Sequence, residues 1–488
     1  MNTSTQFITA SAVDLDGDSD LAMLTLAEAS ALIHRGDVTP TQLTAAMLQR
    51  IATCDSELNA YITVNGEDAL AQARELDAEQ RAGKLRGPLH GIPIALKDNI
   101  DSAGLPTTAA SEVYRDRIPH EDAEVTRRLK AAGAVVIGKL NLHEFAAGGT
   151  GHVSAFGATH NPWALDRVTG GSSSGSGGAV AGQLCFAALG TDTGGSIRIP
   201  SSWCGLTGLK PTYGLVSIRG IVPLIYSLDH CGPMTHTAKD AAMMLNEMAG
   251  YDPLDAASVM HPREDYLKAL EQPTGGFRLG APEEFYVEVD PEVESAMQAA
   301  TEVLTALTAG VVSRTPLPPC GDLMNFLAET LCFHEKHLAE SPDLYQPDTR
   351  QFLTKFAPPS AVQYIRACES LTELRRSIDG AFREFDLVIL PTERILPYTI
   401  DESIAASARA AAIDGIAPQQ WVVAANTFPF NMFGIPALTL PCGFSARGLP
   451  IGLTIAGPRF SEGEILALGA AYQKVTNWHT RRPSFMAS

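Results

Sequence analysis

The sequence predicts an α/β fold: a single large domain in which α-helices flank a β-sheet. Helix patterns and short β-branched runs alternate along the chain, as in layered α/β proteins. Of its 488 residues, 45% are hydrophobic and 19% charged, which suffices for a large core. No repeat and no obvious linker divides the chain. The alternation by itself favours a largely parallel sheet. Residues 1–24 read as an acidic lead-in and residues 25–488 as the one domain.

The elements follow in order. "DLDGDSD" (Asp14–Asp20) has the look of a calcium loop, but the sixth and twelfth positions hold Ser19 and Thr25 rather than Gly and Glu, so it reads as solvated acid. Thr25 and Glu28 form a capping box before "LAEASALIHRG". Thr39, Pro40 and Gln42 do the same before "TQLTAAMLQRIA", where Leu43, Met47 and Ile51 share one face. "IPIAL" after Gly91 is a buried-strand run. "DAEVTRRLKAAGAVVIGKLN" reads as a helix capped by Gly133, then a strand. "AVAGQLCFAALG" reads as a buried helix of small residues. A further helix starts at Pro291, and "DLVILP" (Asp386–Pro391) and "PALTLPCGF" (Pro436–Phe444) read as late strands.

Composition excludes several classes. The formal net charge of −19 argues against an electrostatic grip on nucleic acid or an anionic membrane. No run of 18 apolar residues predicts a membrane span, and the first residues lack the basic start of a secretory signal. Eight scattered cysteines without a Cys-x-x-Cys pair read as buried, reduced thiols of a cytoplasmic protein. No metal site stands out; His334 and His337 are three apart, yet without further ligands they read as surface residues.

The chemistry concentrates around "VTGGSSSGSGGAVAG" (Val168–Gly182). As a flexible tether it runs into sequence that is too apolar. As a phosphate loop it lacks the Gly-Lys-Ser/Thr ending. As a nucleophile elbow, Gly171-x-Ser173-x-Gly175 fits only the short pattern: the preceding "HNPWALDRVT" is a poor strand with Pro162 in it, and the one very late histidine, His479, sits in a polar tail. The fourth reading joins two Gly-Gly-Ser steps, at Ser172 and Ser196, to a lysine. A serine hydroxyl is a weak nucleophile and needs a base. A lysine whose pKa is lowered by burial can serve, and Lys97 ends the apolar strand "IPIAL".

"GIPIALKDNI", "GGSSSGSGGAVAG", "GTDTGGSIRIPSSWCGLTGLKPTYGLVS" and "SLDHCGPM" together resemble the amidase signature family. The resemblance is densest from Gly91 to Met234 and returns at Gly434–Phe460. It implies a mixed, twisted sheet flanked by helices, with Lys97 as base, Ser172 as a proton relay behind a cis peptide, and Ser196 as nucleophile. No cofactor is implied. Backbone N–H groups of Thr193, Gly194, Gly195 and Ser196 are expected to form the oxyanion hole. Gly149, Thr150 and Gly171 are expected to border the substrate. Asp192 and Arg198 are expected to pair structurally, and His230 to be packed. Where many relatives read "PTTP", this chain has "PTERILP", which puts Glu393 and Arg394 near the expected pocket mouth.

The implied activity is hydrolysis of a carboxamide, anilide or carbamate through an acyl-enzyme on Ser196. The expected partners are a small-molecule substrate, with no nucleic acid and no membrane, and homodimers are common among relatives. The rival is the glutaminase subunit of a tRNA-dependent amidotransferase, which has the same motifs; "SIRGIVPLIYSLDHCGP" looks closer to stand-alone amidases.

Overall fold

The computed structural model describes residues 21–321, 326–412 and 423–484. The acidic run Asp14–Asp20 lies outside them. The capping boxes at Thr25 and Thr39 form, and open helices Leu26–Arg35 and Pro40–Leu58. Leu43, Met47 and Ile51 are buried, as the face pattern requires.

The chain carries strands β1 (Tyr61–Val64), β2 (Pro93–Lys97), β3 (Val135–Leu140), β4 (His160–Asn161), β5 (Ala164–Val168), β6 (Ala187–Asp192), β7 (Thr207–Lys210), β8 (His230–Thr235), β9 (Leu279–Gly280), β10 (Val311–Ser313), β11 (Leu387–Pro391), β12 (Ala437–Phe444) and β13 (Pro450–Ala456). All but β4 and β5 form one eleven-stranded sheet in the order β1-β3-β2-β6-β8-β7-β12-β13-β11-β9-β10. Parallel pairs occur at β2/β3, β2/β6, β9/β10 and β9/β11. The other six pairs are antiparallel. The sheet is therefore mixed, and the largely parallel sheet suggested by alternation alone is corrected. The pairings of β7 with β12 and of β9 with β11 join segments far apart in the chain, which a local pattern does not encode.

Two local expectations also change. The run "AVAGQLCFAALG" is not one helix: the helix Ser174–Ala181 stops, Gln183 takes a positive φ of 58°, and the rest becomes β6. Small apolar runs fit a buried helix and a buried strand equally, and the sheet position between β2 and β8 decides. "HNPWALDRVT" does form strands, the short ribbon β4–β5, with Pro162 in its turn.

The helix Ser174–Ala181 is buried along its whole length. A Cβ at Gly175 would lie 2.4 Å from the Ala60 carbonyl oxygen and 2.5 Å from the Asn141 nitrogen, so only glycine lets this helix sit so near its neighbours. The parallel strands β2 and β6 end side by side at Lys97 and Asp192, and the carboxyl ends of such strands are where α/β sheets place their sites.

Candidate active site

Lys97 is the last residue of β2 and is completely buried. Its Nζ lies 2.7 Å from Ser172 Oγ and 2.7 Å from Thr191 Oγ1. Burial pulls its pKa down to about 7, against the carboxylates of Asp192 and Asp229 and the Cys231 thiol, which favour the charged form. No carboxylate forms an ion pair with it among the described residues. Near neutral pH much of the amine is uncharged and able to accept a proton.

The Gly171–Ser172 peptide bond is cis. Ser172 is fully buried, and Ser173 N–H donates to the Ser196 carbonyl at 3.3 Å, which ties the two Gly-Gly-Ser steps together. Ser173 turns its hydroxyl to the Thr191 carbonyl (3.2 Å), so it does not face the pocket. Ser196 does: it lines a cavity of about 280 Å³ together with Thr193 and Gly194.

The turn from Asp192 to Ser196 is pinned from beneath. Arg198 clasps Asp192 through two hydrogen bonds of 3.0 and 2.9 Å, and both side chains are buried. Burial opposes the charge on Asp192, but the Arg198 guanidinium prevails and holds the carboxyl well below the usual carboxylate range. Arg198 also donates to the Thr427 carbonyl and to Asn431 Oδ1, each at 2.7 Å, and Asn431 returns a bond to Asp192. This pair is structural.

Gly195 N–H donates to Asp192 Oδ1 at 2.8 Å, so it serves the turn rather than a bound oxyanion. The N–H groups of Thr193, Gly194 and Ser196 make no such bond to a side chain among the described residues. Gly195 has φ of +136°, and a Cβ there would lie 2.2 Å from Thr427 Oγ1, so glycine is required.

Thr193 is fixed by a residue the sequence patterns do not single out. Its hydroxyl donates to Asp229 Oδ1 at 2.5 Å, while Asp229 accepts from Leu224 N–H at 2.9 Å and Ile225 N–H at 3.2 Å. Asp229 thus joins the Thr193–Ser196 turn to the opposite pocket wall. Burial raises its pKa to about 6, against the hydrogen bonds it accepts. Thr191, the second hydroxyl on Lys97, is likewise not singled out by sequence. Both stand inside motifs already quoted, "GTDTGGS" and "SLDHCGPM", so a search for hydroxyl and carboxylate partners there could have found them. His143 carried no sequence signal; it is buried, and burial, with the nearby His152 and Lys97 adding to it, holds the ring neutral.

Gly149 lines the cavity. Thr150 and Gly171 stand behind it: Thr150 Oγ1 lies 2.7 Å from His152 Nδ1 and 3.3 Å from His143 Nδ1, and Gly171 N–H donates to the Gly149 carbonyl at 2.8 Å. Glu393 and Arg394 do not reach the cavity. Glu393 is buried, and Arg394 donates to Asn426 Oδ1 and the Glu284 carbonyl, each at 2.7 Å. His230 is packed as expected, with Nδ1 2.7 Å from the Leu228 carbonyl. His334 is not a surface residue: Phe145, Phe333 and Tyr345 surround it, and Tyr345 Oη lies 2.9 Å from its Nδ1. The cysteines carry no disulfide among the described residues, but only Cys185, Cys204, Cys231 and Cys442 are buried; Cys54, Cys320 and Cys368 are half-buried and Cys332 is exposed. No helix among those residues is long and apolar enough to cross a membrane.

A buried lysine on a serine, and a second serine on a tight turn beside an apolar cavity, make up the candidate site. Residues 42–466 match the family described as Amidase, and the chain belongs to that family. It is 41% identical to a glutamyl-tRNA(Gln) amidotransferase subunit of Roseiflexus sp., over 95% of this chain and 98% of the relative. Among solved structures, the corresponding amidotransferase subunit from Thermotoga maritima superposes with a TM-score of 0.78 at 30% identity, covering 96% of this chain and 98% of the other. Native peptide amidase from Stenotrophomonas maltophilia superposes with a TM-score of 0.80 at 34% identity, covering 96% of this chain and all of the other. These relatives correct the expected partners. A lone small-molecule substrate without nucleic acid does not follow when relatives matched end to end are subunits of an enzyme named for a tRNA. Net charge averages the whole surface, so it does not test for a nucleic-acid partner.

Proposed function

We propose that the chain cleaves a carboxamide by acyl transfer through Ser196. In the first step Ser196 Oγ attacks the carbonyl carbon and its proton passes through Ser172 to neutral Lys97. The tetrahedral oxyanion is met by N–H groups of Thr193, Gly194 and Ser196, and one such donor is worth roughly 10²–10³ in rate. The C–N bond then breaks, and the amine or ammonia leaves with the proton returned from Lys97. Water next attacks the Ser196 ester by the same relay, releasing the acid and free serine.

The observation that carries this reading is the 2.7 Å contact between Lys97 and Ser172, at an amine whose pKa burial lowers to about 7. The test is hydrolysis of a panel of amides by the chain and by Ser196→Ala and Lys97→Ala. Turnover within twofold of the parent in either variant refutes the assignment.

A second reading concerns the setting, and the curated relatives favour it. At 41% identity over nearly the whole chain, they support a role as the amide-cleaving subunit of a tRNA-dependent amidotransferase, with glutamine as the amide and further subunits as partners. Its test is glutamine hydrolysis by the chain alone and with the partner subunits of such an enzyme. Stimulation together with a stable complex on gel filtration supports it, and neither being seen removes it.

A further inference from the structure

We infer that the group flanking the scissile bond is apolar and uncharged, an aryl or branched alkyl substituent rather than the charged backbone of a free amino acid. This rests on the reading of Ser196 as the acylated residue. The cavity that opens over Ser196 is walled by Ile199, Leu224, Ile225, Leu327, Phe352 and Phe428. Its remaining lining is Ala, Gly and Pro, apart from Thr193 and Ser196, so among the described residues no charged side chain faces it. The Thr193 hydroxyl is already committed to Asp229, which itself lies behind the wall with three donors on its carboxylate.

A free amino acid entering this space would carry an ammonium and a carboxylate out of water with no counter-charge on the wall, and an uncompensated buried charge is strongly disfavoured. An apolar ring gains in the same place. Its surface leaves water against side chains that are themselves buried or half-buried, and one buried aromatic group is worth roughly 10- to 100-fold in affinity. The volume of about 280 Å³ accommodates a substituent of that size beside the carbonyl. Leu224 and Ile225 are held in the wall by their bonds to Asp229, and the Leu224 carbonyl accepts from the Thr330 hydroxyl, so this side of the pocket is preformed.

The experiment uses the full chain with four substrates. They are 3-phenylpropanamide (ring on the acyl side), acetanilide (ring on the amine side), acetamide and glutamine. A fluorophosphonate labels active serines in parallel. The expected result is a kcat/KM for one ring-bearing amide about 10- to 100-fold above acetamide and further above glutamine; which ring arm wins assigns the side. Phe352→Ala, at a half-buried position, is expected to raise KM for that amide about tenfold, with kcat falling by less than KM rises. Equal or better use of glutamine, or an unchanged KM in Phe352→Ala, overturns the inference even though labelling is lost in Ser196→Ala. Absence of labelling in the parent chain overturns the Ser196 reading, and this inference with it.

Discussion

Two lysines lie at the carboxyl ends of neighbouring strands, and both are completely buried: Lys97, the last residue of β2, and Lys139, the last but one of β3. The sheet register pairs Leu96 with Lys139, so the two amines are set one residue apart across a parallel ladder. Lys139 faces a carboxylate. Its Nζ is 3.0 Å from Asp98 Oδ1 and donates to Thr107 Oγ1 at 2.6 Å. Lys97 faces two hydroxyls instead. Burial lowers the pKa of both, but only at Lys139 does a contacting carboxylate give the charged form an ion-pair partner. Burial alone therefore does not make a base. The lack of a counter-ion beside Lys97 among the described residues, and the presence of a hydroxyl with a proton to pass, are what support the proposal that Lys97 is the proton acceptor and Lys139 a structural cation.

The sharpest way to break this comparison is to remove each amine in turn. Lys97→Met is expected to lower kcat/KM by about 10³-fold or more, since a general base contributes roughly 10²–10⁴. Its unfolding midpoint should stay near the parent's; activity within tenfold of the parent would end the distinction. Lys139→Met is expected to act the other way. It strands the Asp98 carboxylate in the core, where breaking a buried pair costs about 3–5 kcal/mol. Denaturant melts should show that loss, active-site titration should show near-parent turnover per folded molecule, and adding Asp98→Asn should restore part of the stability.

The pH dependence sharpens the contrast at smaller scale. Lys97 has its pKa lowered to about 7, so it is neutral above that pH and protonated below it. A protonated amine cannot accept the Ser196 proton, so kcat/KM should fall about tenfold per pH unit below roughly pH 7 and level off above. A profile flat from about pH 5.5 to about pH 8.5 would contradict the role. The smallest expected effect is at Asp229. Asp229→Asn turns an amide N–H toward the donors of Leu224 and Ile225, loosening Thr193. A loss of about tenfold, carried mainly by kcat, is expected. Thr193→Val should give a similar loss, and the double variant little more, since the two act as one unit.

Much of this was legible in the sequence for local reasons. Capping boxes at Thr25 and Thr39 are formed by residues three apart and need no tertiary partner. The strand at "IPIAL" followed from its apolar run, Lys97 stood at the end of that run, and Ser172 and Ser196 stood in motifs dense with glycine. Other features were illegible because they depend on what lies across the fold. Gly195 looked like an anion donor, but Asp192 takes its N–H. His334 looked like a surface residue until Phe145, Phe333 and Tyr345 closed over it. Glu393 and Arg394 follow β11 in the chain, yet the packing turns them away from the cavity.

What the sequence alone determined is the set of groups proposed to react and the backbone able to hold them. Glycines permit the tight turns, hydroxyls carry the proton, and a lysine ends an apolar strand; these are properties of residue type and spacing. The tertiary structure decided which amine meets a carboxylate and which meets a serine, which main-chain donors remain free, and that the wall facing Ser196 is apolar. Those outcomes follow from strand pairing and from contacts between residues far apart in the chain, because charge state and desolvation are set by neighbours in space.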